Sequence, residues 1–194
     1  MQTNITDEML LINKAAKGDS WAFEQLVNKY EARLYSVALR MCGNREDAQD
    51  CLQDAMLRIY RSLDRFKGQS AFSTWAYRIT MNTCLDELRR RRSRAATSLD
   101  ALLETGWDPA AETVTPEDAA ISAEQRRELE AAIANLPEDM RSAIILREMH
   151  DMTYEEISEA LDTNIGTVKS RISRGRERLR QLINGRPGLF GNDE

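Results

Sequence analysis

The sequence predicts an all-α protein made of two small helical domains joined by a flexible linker. Apolar residues recur at helical spacing along most of the chain, and one long stretch rich in Thr, Pro and acidic residues interrupts them. Near the carboxyl end, two helical patterns are separated by the turn-forming residues of 162–164. The expected units are a first domain at 1–94, an acidic linker at 95–118, a second domain at 119–186 and a tail at 187–194.

The composition indicates a protein that is not inserted in a membrane. The chain has 194 residues, a net charge of −5 and 42% hydrophobic residues. None of its apolar runs approaches the ~20 residues that span a bilayer. Its first residues, MQTNITDEML, lack the basic start and apolar block of a signal peptide. We therefore expect a cytoplasmic protein.

The cysteines and the single histidine give no sign of a catalytic or metal centre. Cys42, Cys51 and Cys84 are odd in number and form no C-x-x-C pair, so we expect buried, reduced thiols and no zinc site. His150 has no second histidine with which to share a metal or a triad, and a packing or solvated role is expected. We find no paired carboxylates in an apolar cleft, so the sequence predicts neither an enzyme nor a cofactor.

Four helices are expected in the first domain. Ser20 is the expected cap of the second, Gly43 and Asn44 form the turn that ends it, and Ser73 or Thr74 is the expected cap of the fourth. The expected spans are 7–17, 20–42, 45–63 and a long helix that ends at about residue 92.

The third helix carries a polar, mostly acidic ridge on its outer face, formed by Glu46, Asp47, Asp50, Gln53 and Asp54. Acidic residues near the amino end of a helix interact favourably with its dipole, which is a purely structural explanation. The same ridge also suits a basic partner. The residues alone leave both interpretations open.

The loop at 64–72 and the long helix that follows combine aromatic rings with cations. Between residues 78 and 94 there are six Arg, one Asp and one Glu, a formal charge of +4. Rings on which bases stack, next to Arg that meets phosphate, are typical of single-strand binding surfaces. Phe72 and Trp75 could equally belong to the core, and the sequence does not decide between these roles.

The stretch 153–183 is typical of a helix-turn-helix. Its second helix has an apolar stripe, formed by Ile165, Val168, Ile172, Leu179 and Leu182. The opposite face is polar and basic, and residues 165–186 contain one Lys, six Arg and one Glu, a formal charge of +6 in a chain of −5. Such a local reversal of charge indicates a phosphate-binding surface. The alternative is a solvated basic helix in an ordinary bundle.

Three motifs give the chain a resemblance to a known family. They are FSTWAYRITMN at Phe72–Asn82, LPEDMRSAIILRE at Leu136–Glu148 and GTVKSRISRGRERL at Gly166–Leu179. In this order and spacing they resemble the bacterial RNA polymerase sigma factors of the sigma-70 family, extracytoplasmic-function (ECF) type. The resemblance spans about residues 7–183 and implies two helical domains, region 2 and region 4.

The resemblance also implies three contact surfaces. The ridge residues Asp47, Asp50, Gln53 and Asp54 would bind the largest subunit of core RNA polymerase. The melted minus-ten promoter element would contact Phe66, Lys67, Ser70, Phe72, Thr74, Trp75, Arg78 and Asn82. The minus-thirty-five duplex would be read by Thr167, Lys169, Ser170, Arg171, Ser173 and Arg174.

Two positions depart from the family pattern. Asp54 stands where Glu is usual, and Ser173 stands where some members carry an aromatic residue, so the base preference there can differ. The family is commonly held inactive by an anti-sigma factor, often membrane-bound, which is therefore an expected partner beside polymerase and promoter DNA. The alternative function is a free-standing helix-turn-helix regulator, which would bind duplex DNA without polymerase.

Overall fold

The computed structural model describes residues 3–97 and 116–184, with side chains at 7–94 and 124–184, and these residues form helices and turns without a strand. The helices are α1 (Thr3–Ala16), α2 (Ser20–Cys42), α3 (Arg45–Ser62), α4 (Phe72–Thr97), α5 (Pro116–Ala134), α6 (Glu138–Ile144), α7 (Tyr154–Ala160) and α8 (Ile165–Asn184). A short 3-10 turn, Leu63–Arg65, follows α3, and a π-helical turn, Ile145–Met149, extends α6. The predicted all-α class is confirmed.

The first unit, α1 to α4, is built around α2. Leu26, Leu34 and Met41 recur along α2 at helical spacing and are almost fully buried. The amino end of α2 is capped by the side chain of Asp19, which accepts a hydrogen bond from the Ala22 amide at 3.1 Å. The prediction that Ser20 is the cap was wrong by one residue. Gly43 ends the helix as predicted, with φ 80°, a conformation that glycine adopts without strain.

The long helix α4 begins earlier and ends later than predicted. It starts at Phe72, so neither Ser73 nor Thr74 is its cap. The apolar side chains Phe72, Ala76 and Tyr77 pack into the core in its first turns, which favours helix formation from Phe72 onward. Its carboxyl end reaches Thr97 and α5 begins at Pro116. Only residues 98–115 of the predicted linker therefore lie outside the described residues.

The second unit is held together by a network around Arg141. Its guanidinium donates to the carbonyl oxygens of Ala134 and Leu136, the latter at 3.0 Å, and so closes the turn between α5 and α6. Pro137 is the residue just before α6. The amino end of α7 carries a capping box, in which the Thr153 hydroxyl accepts from the Glu156 amide and Glu156 accepts from the Thr153 amide.

The two units share one continuous buried core and pack against each other. The Tyr77 hydroxyl lies 3.1 Å from His150 Nδ1, and Arg141 donates to the carbonyl oxygen of Met41 at 2.7 Å. Ion pairs between the units join Arg40 to Glu130 at 3.3 Å, Arg92 to Glu138 at 3.0 Å and Arg78 to Asp162 at 4.0 Å. The structure is thus a closed arrangement, in which α4 faces α7. Among the described residues, none of the helices is long and apolar enough to cross a membrane.

Candidate functional site

The turn before α8 fixes the direction in which that helix leaves the core. Asp162 has φ 48°, and the Asn164 side chain accepts a hydrogen bond from the Thr167 amide at 2.8 Å. Val168 and Ile172 are buried, as predicted. Ile165 was also predicted to be buried, but it is 38% exposed because it lies in the first turn, before α8 reaches the core. The helix-turn-helix is therefore docked through the middle of α8 and open at its amino end.

Some of the α8 residues predicted to read duplex DNA are exposed, and others form contacts within the fold. Lys169, Ser173 and Arg174 are exposed. The hydroxyl of Ser170 donates to the Thr167 carbonyl oxygen at 2.9 Å and accepts from Arg174 at 3.3 Å, so that these side chains lie along one face. The remaining two predicted residues, Thr167 and Arg171, are half-buried.

Arg171 forms an ion pair with Asp139 of α6 at 3.4 Å. Its side chain is 27% exposed, so part of its donor capacity is used within the fold. This geometry fits a residue that holds α8 against α6 better than one that reads a base. The partner, Asp139, lies in the LPEDMRSAIILRE motif.

The aromatic residues near the loop form a compact cluster. The Phe66 ring lies 5.2 Å from Trp75 and 5.6 Å from Phe72, and the Phe72 ring lies 5.6 Å from Trp75, between ring centroids. Phe72 also contacts Tyr30 at 5.1 Å. Since Phe66 and Trp75 are only partly buried, they present the accessible edge of this cluster.

Two residues predicted to contact DNA are buried instead. Phe72 is 4% exposed and Thr74 is 2% exposed. Both are buried in the first turn of α4, where Phe72 packs against Tyr30 of α2, and in this conformation neither offers its side chain to DNA. The choice left open by the sequence is decided for Phe72, which belongs to the core. Lys67 is exposed and Ser70 is half-buried in the loop.

One face of α4 carries Trp75, Arg78 and Asn82, spaced so that all three lie on the same side of the helix. Asn82 is exposed. Arg78 lies 4.0 Å from Asp162 in the turn of the helix-turn-helix. The predicted single-strand surface and the duplex-reading unit therefore meet in the closed arrangement.

The acidic ridge of α3 is exposed at Asp50, Gln53 and Asp54. Asp47 differs from them, because its carboxylate accepts from Arg91 of α4 and from the Asn44 side chain at 2.7 Å. Asn44 is the cap of α3, and the Asp47 carboxylate ties that helix to α4, so the structural interpretation of the ridge applies to Asp47. The ridge borders an open groove of about 720 Å³ between α3 and α4.

Sequence reasoning missed the apolar continuation of this ridge. Leu57 is 50% exposed and Tyr60 is 41% exposed. Leu57 follows Gln53 and Asp54 by four and three residues, so it lies on the same side of α3. The sequence signal for this apolar patch was a leucine that lies next to exposed acids and outside the buried stripe of α3.

His150 has a packing role, which is one of the two roles expected from the sequence. Its ring lies 4.9 Å from the Tyr77 ring, between centroids. Burial lowers the pKa of His150 to about 4, with nearby Arg40 and Arg33 acting in the same direction. The ring is therefore neutral near pH 7, and a neutral ring suits the apolar contact between the two units.

Family models match both units of the chain. Sigma-70 region 2 matches residues 26–94 and Sigma-70 region 4 matches residues 126–179. The ECF RNA polymerase sigma-E factor of Escherichia coli K12 is 38% identical over 183 residues, which cover 92% of this chain and 95% of that protein. The chain belongs to the ECF sigma factors of the sigma-70 family.

Other relatives agree with this assignment. The sigma-E factor of Haemophilus influenzae is 37% identical to this sigma factor over 94% of the chain and 98% of its own length. The structure of the sigma factor RpoE from Bartonella quintana, solved with the anti-sigma factor NepR, superposes with a TM-score of 0.71 at 25% identity, over 84% of this chain and 96% of that one. The alternative of a free-standing regulator is not supported, because region 2 matches most of the first unit.

Proposed function

We propose that this sigma factor binds core RNA polymerase through α3, reads the upstream promoter element as duplex through α8, and holds the melted downstream element against α4 and its preceding loop. The observation that carries the proposal is the presence of both matched regions in one chain, each with an exposed surface of the required chemistry. The bond-making chemistry belongs to the polymerase, and the sigma factor acts in the cytoplasm without an enzymatic centre of its own.

The surface proposed for duplex DNA consists of Lys169, Ser173 and Arg174, with Thr167 and Ser170 beside them. Arg can donate two parallel hydrogen bonds to guanine, and Lys and Ser can reach base edges or phosphate. The surface stands at the open amino end of α8, where a recognition helix enters a major groove. Arg171 is proposed to position α8 through Asp139.

The surface proposed for the melted strand consists of Phe66, Lys67, Ser70, Trp75, Arg78 and Asn82. Partly exposed rings can stack on bases, while Arg and Lys neutralise phosphates. Phe72 and Thr74 support these residues from the core. A flipped base costs a few kcal/mol of lost stacking, which contacts of this kind offset.

The surface proposed for polymerase consists of Asp50, Gln53, Asp54 and Leu57. Exposed acids next to an exposed leucine match interfaces in which polar groups surround an apolar anchor. Asp47 is proposed to hold α3 in place for this interface and not to contact polymerase itself, because its carboxylate already accepts a hydrogen bond from Arg91.

The closed arrangement fits regulation by an anti-sigma factor. Arg78 of the strand-binding surface is paired with Asp162 beside the duplex-reading helix, so both surfaces cannot hold extended promoter DNA at once in this arrangement. A relative of similar fold is known in complex with an anti-sigma factor. We propose that such a partner holds this chain inactive and that polymerase binding separates the two units.

Run-off transcription with core polymerase tests the proposed function directly. Polymerase with the sigma factor is expected to initiate at a defined subset of a promoter library and to give reactive unpaired thymines in permanganate footprints. The free chain is expected to bind the same duplexes weakly, since its net charge of −5 opposes DNA outside the two local surfaces. Tight, sequence-specific binding by the free chain, without polymerase-dependent transcription, would contradict the proposal.

Arg174→Ala is expected to weaken recognition at one base position of the upstream element. A bidentate contact to guanine contributes about 1–3 kcal/mol of discrimination, so holoenzyme affinity should fall by about tenfold or more at that position alone. Arg180→Ala is the matched control, because Arg180 is an exposed arginine of the same helix that pairs with Glu177. A uniform loss across all promoter sequences, with the salt slope falling by about one, would show that Arg174 meets phosphate instead.

A further inference from the structure

The three cysteines converge in the core of region 2. Cys42 ends α2, Cys51 lies in α3 and Cys84 lies in α4. Their sulfur atoms all lie within 4.8 Å of one another, and the Cys42 and Cys51 sulfurs are 3.6 Å apart. They are the only cysteines in the sequence, and all three are free and buried. Their spacing along the chain gave no sign of this cluster, because each comes from a different helix.

The sulfur separations suit metal coordination. Zinc–thiolate bonds of about 2.3 Å place two tetrahedral ligands about 3.8 Å apart. The Cys42–Cys51 separation of 3.6 Å is close to that value, and the third sulfur is near both. A disulfide would join only two of these sulfurs, at about 2.05 Å, and would leave the third without a role. The cluster therefore has the arrangement of a three-sulfur ligand set.

Metal binding at this cluster would be coupled to the release of protons. Thiolates, and not thiols, are metal ligands. All three cysteines are free, so a cation that binds here would displace the proton of each thiol that coordinates it. Metal affinity is therefore expected to rise with pH.

A cation can approach the cluster from the groove between α3 and α4. Cys51 lines this groove, together with the carboxylates of Asp47, Asp54 and Glu87. The groove lining holds four carboxylates and three arginines, a formal charge of −1, so it does not repel a cation. Among the side chains that the structure describes, only sulfurs belong to this ligand group. Sulfur-only ligands select soft metals such as Zn²⁺ and Cu⁺ over hard ones such as Mg²⁺.

We propose that Cys42, Cys51 and Cys84 form a three-thiolate site for a soft, thiophilic metal cation. Zinc would complete its coordination with a water molecule, as in zinc sites with three protein ligands, whereas Cu⁺ needs only the three sulfurs. The bound ion would link α2, α3 and α4 at the point where α3 carries the polymerase-binding ridge. Because metal binds the folded site and not the unfolded chain, occupancy is expected to stabilise region 2. The site does not depend on the proposed function.

Titration of the reduced, metal-free full-length chain tests this site. Cd²⁺ is the spectroscopic probe, because cadmium–thiolate bonds give an ultraviolet charge-transfer band, and Zn²⁺ and Cu⁺ are then tested as competitors. We expect one Cd²⁺ per chain, a band of three thiolates, release of protons and a higher melting temperature. Displacement by Zn²⁺ or by Cu⁺ distinguishes the two metals. Absence of the band in the wild-type chain would overturn the proposal.

Single Cys→Ser variants at residues 42, 51 and 84 identify the ligands. Loss of a residue that only supports a metal ligand costs about 10–100-fold in affinity, so loss of a ligand itself is expected to exceed about a hundredfold. Glu87→Gln is the matched control, since it removes a carboxylate from the same groove and is expected to keep the affinity.

Circular dichroism checks that each variant is folded, and Cys→Ala replaces Cys→Ser at any position where serine prevents folding. Full affinity in all three cysteine variants, or its loss in Glu87→Gln alone, would assign the metal to surface acids and overturn the three-thiolate site.

Discussion

The double variant Asp50→Arg/Asp54→Arg is expected to lose stable binding to core polymerase. Both carboxylates are exposed on α3, so they can meet a basic partner directly. Reversing them places like charges against each other at an interface, which costs several kcal/mol. We expect the affinity for core polymerase to fall by more than about a hundredfold, with a matching loss of run-off transcription.

Co-purification and fluorescence anisotropy with core polymerase measure this loss. The fold should be retained, because exposed substitutions shift stability by only about 0.5 kcal/mol. Glu24→Arg/Glu31→Arg is the matched control, since it makes the same change of net charge at two exposed positions of α2. Unchanged retention of polymerase by the α3 variant would remove the ridge from the interface. An equal loss in both variants would point to overall charge as the cause.

Gly175→Val is expected to disrupt the packing of α8 against α6. A Cβ atom at Gly175 would lie 2.7 Å from Ile144 Cγ1 and 3.1 Å from its Cδ1, too close for unshifted neighbours. Valine adds two further methyl groups to that contact. Overpacking of a core costs about 1–3 kcal/mol, which outweighs the gain of up to about 1 kcal/mol from removing a helical glycine. We expect a lower melting temperature and weaker binding to the upstream duplex element.

Thermal and denaturant unfolding measure the effect of Gly175→Val. Gln181→Val is the matched control, because it places the same β-branched side chain at an exposed position of the same helix. Adding Ile144→Ala to Gly175→Val creates room at the contact, so the two changes should be less destabilising together than the sum of each alone. A stabilised Gly175→Val variant would show that helix propensity dominates at this position and that Ile144 shifts at little cost in free energy.

The contact between the two units determines how strongly their separation is opposed. Tyr77 meets His150, Arg141 reaches the carbonyl of Met41, and Arg78 pairs with Asp162. The exposed ion pair of Arg78 with Asp162 contributes little, about 0–1 kcal/mol. The hydrogen bond of Arg141 to a backbone carbonyl and the neutral ring of His150 are less exposed to solvent. Separation of the units is therefore opposed mainly by apolar burial and by a few hydrogen bonds.

The sequence by itself determined that the protein is helical, that the middle of α8 is buried, and the chemistry of the exposed surfaces. Helical periodicity is a local property, so Val168 and Ile172 could be assigned to the core without knowing what covers them. Local charge is equally readable, as the +6 stretch in a chain of −5 shows. The three motifs then predicted the family that the comparisons confirmed.

Only the tertiary structure decided which residues of those surfaces are available. Asp47 is held by Arg91, Phe72 is buried beside Tyr30, and Gly175 accommodates Ile144, each through a contact with another helix. The same is true of the cysteines, which are distant in sequence and adjacent in space. Such contacts depend on the crossing angle of two helices and on which turns of each helix meet. The periodicity of a single helix does not contain that information.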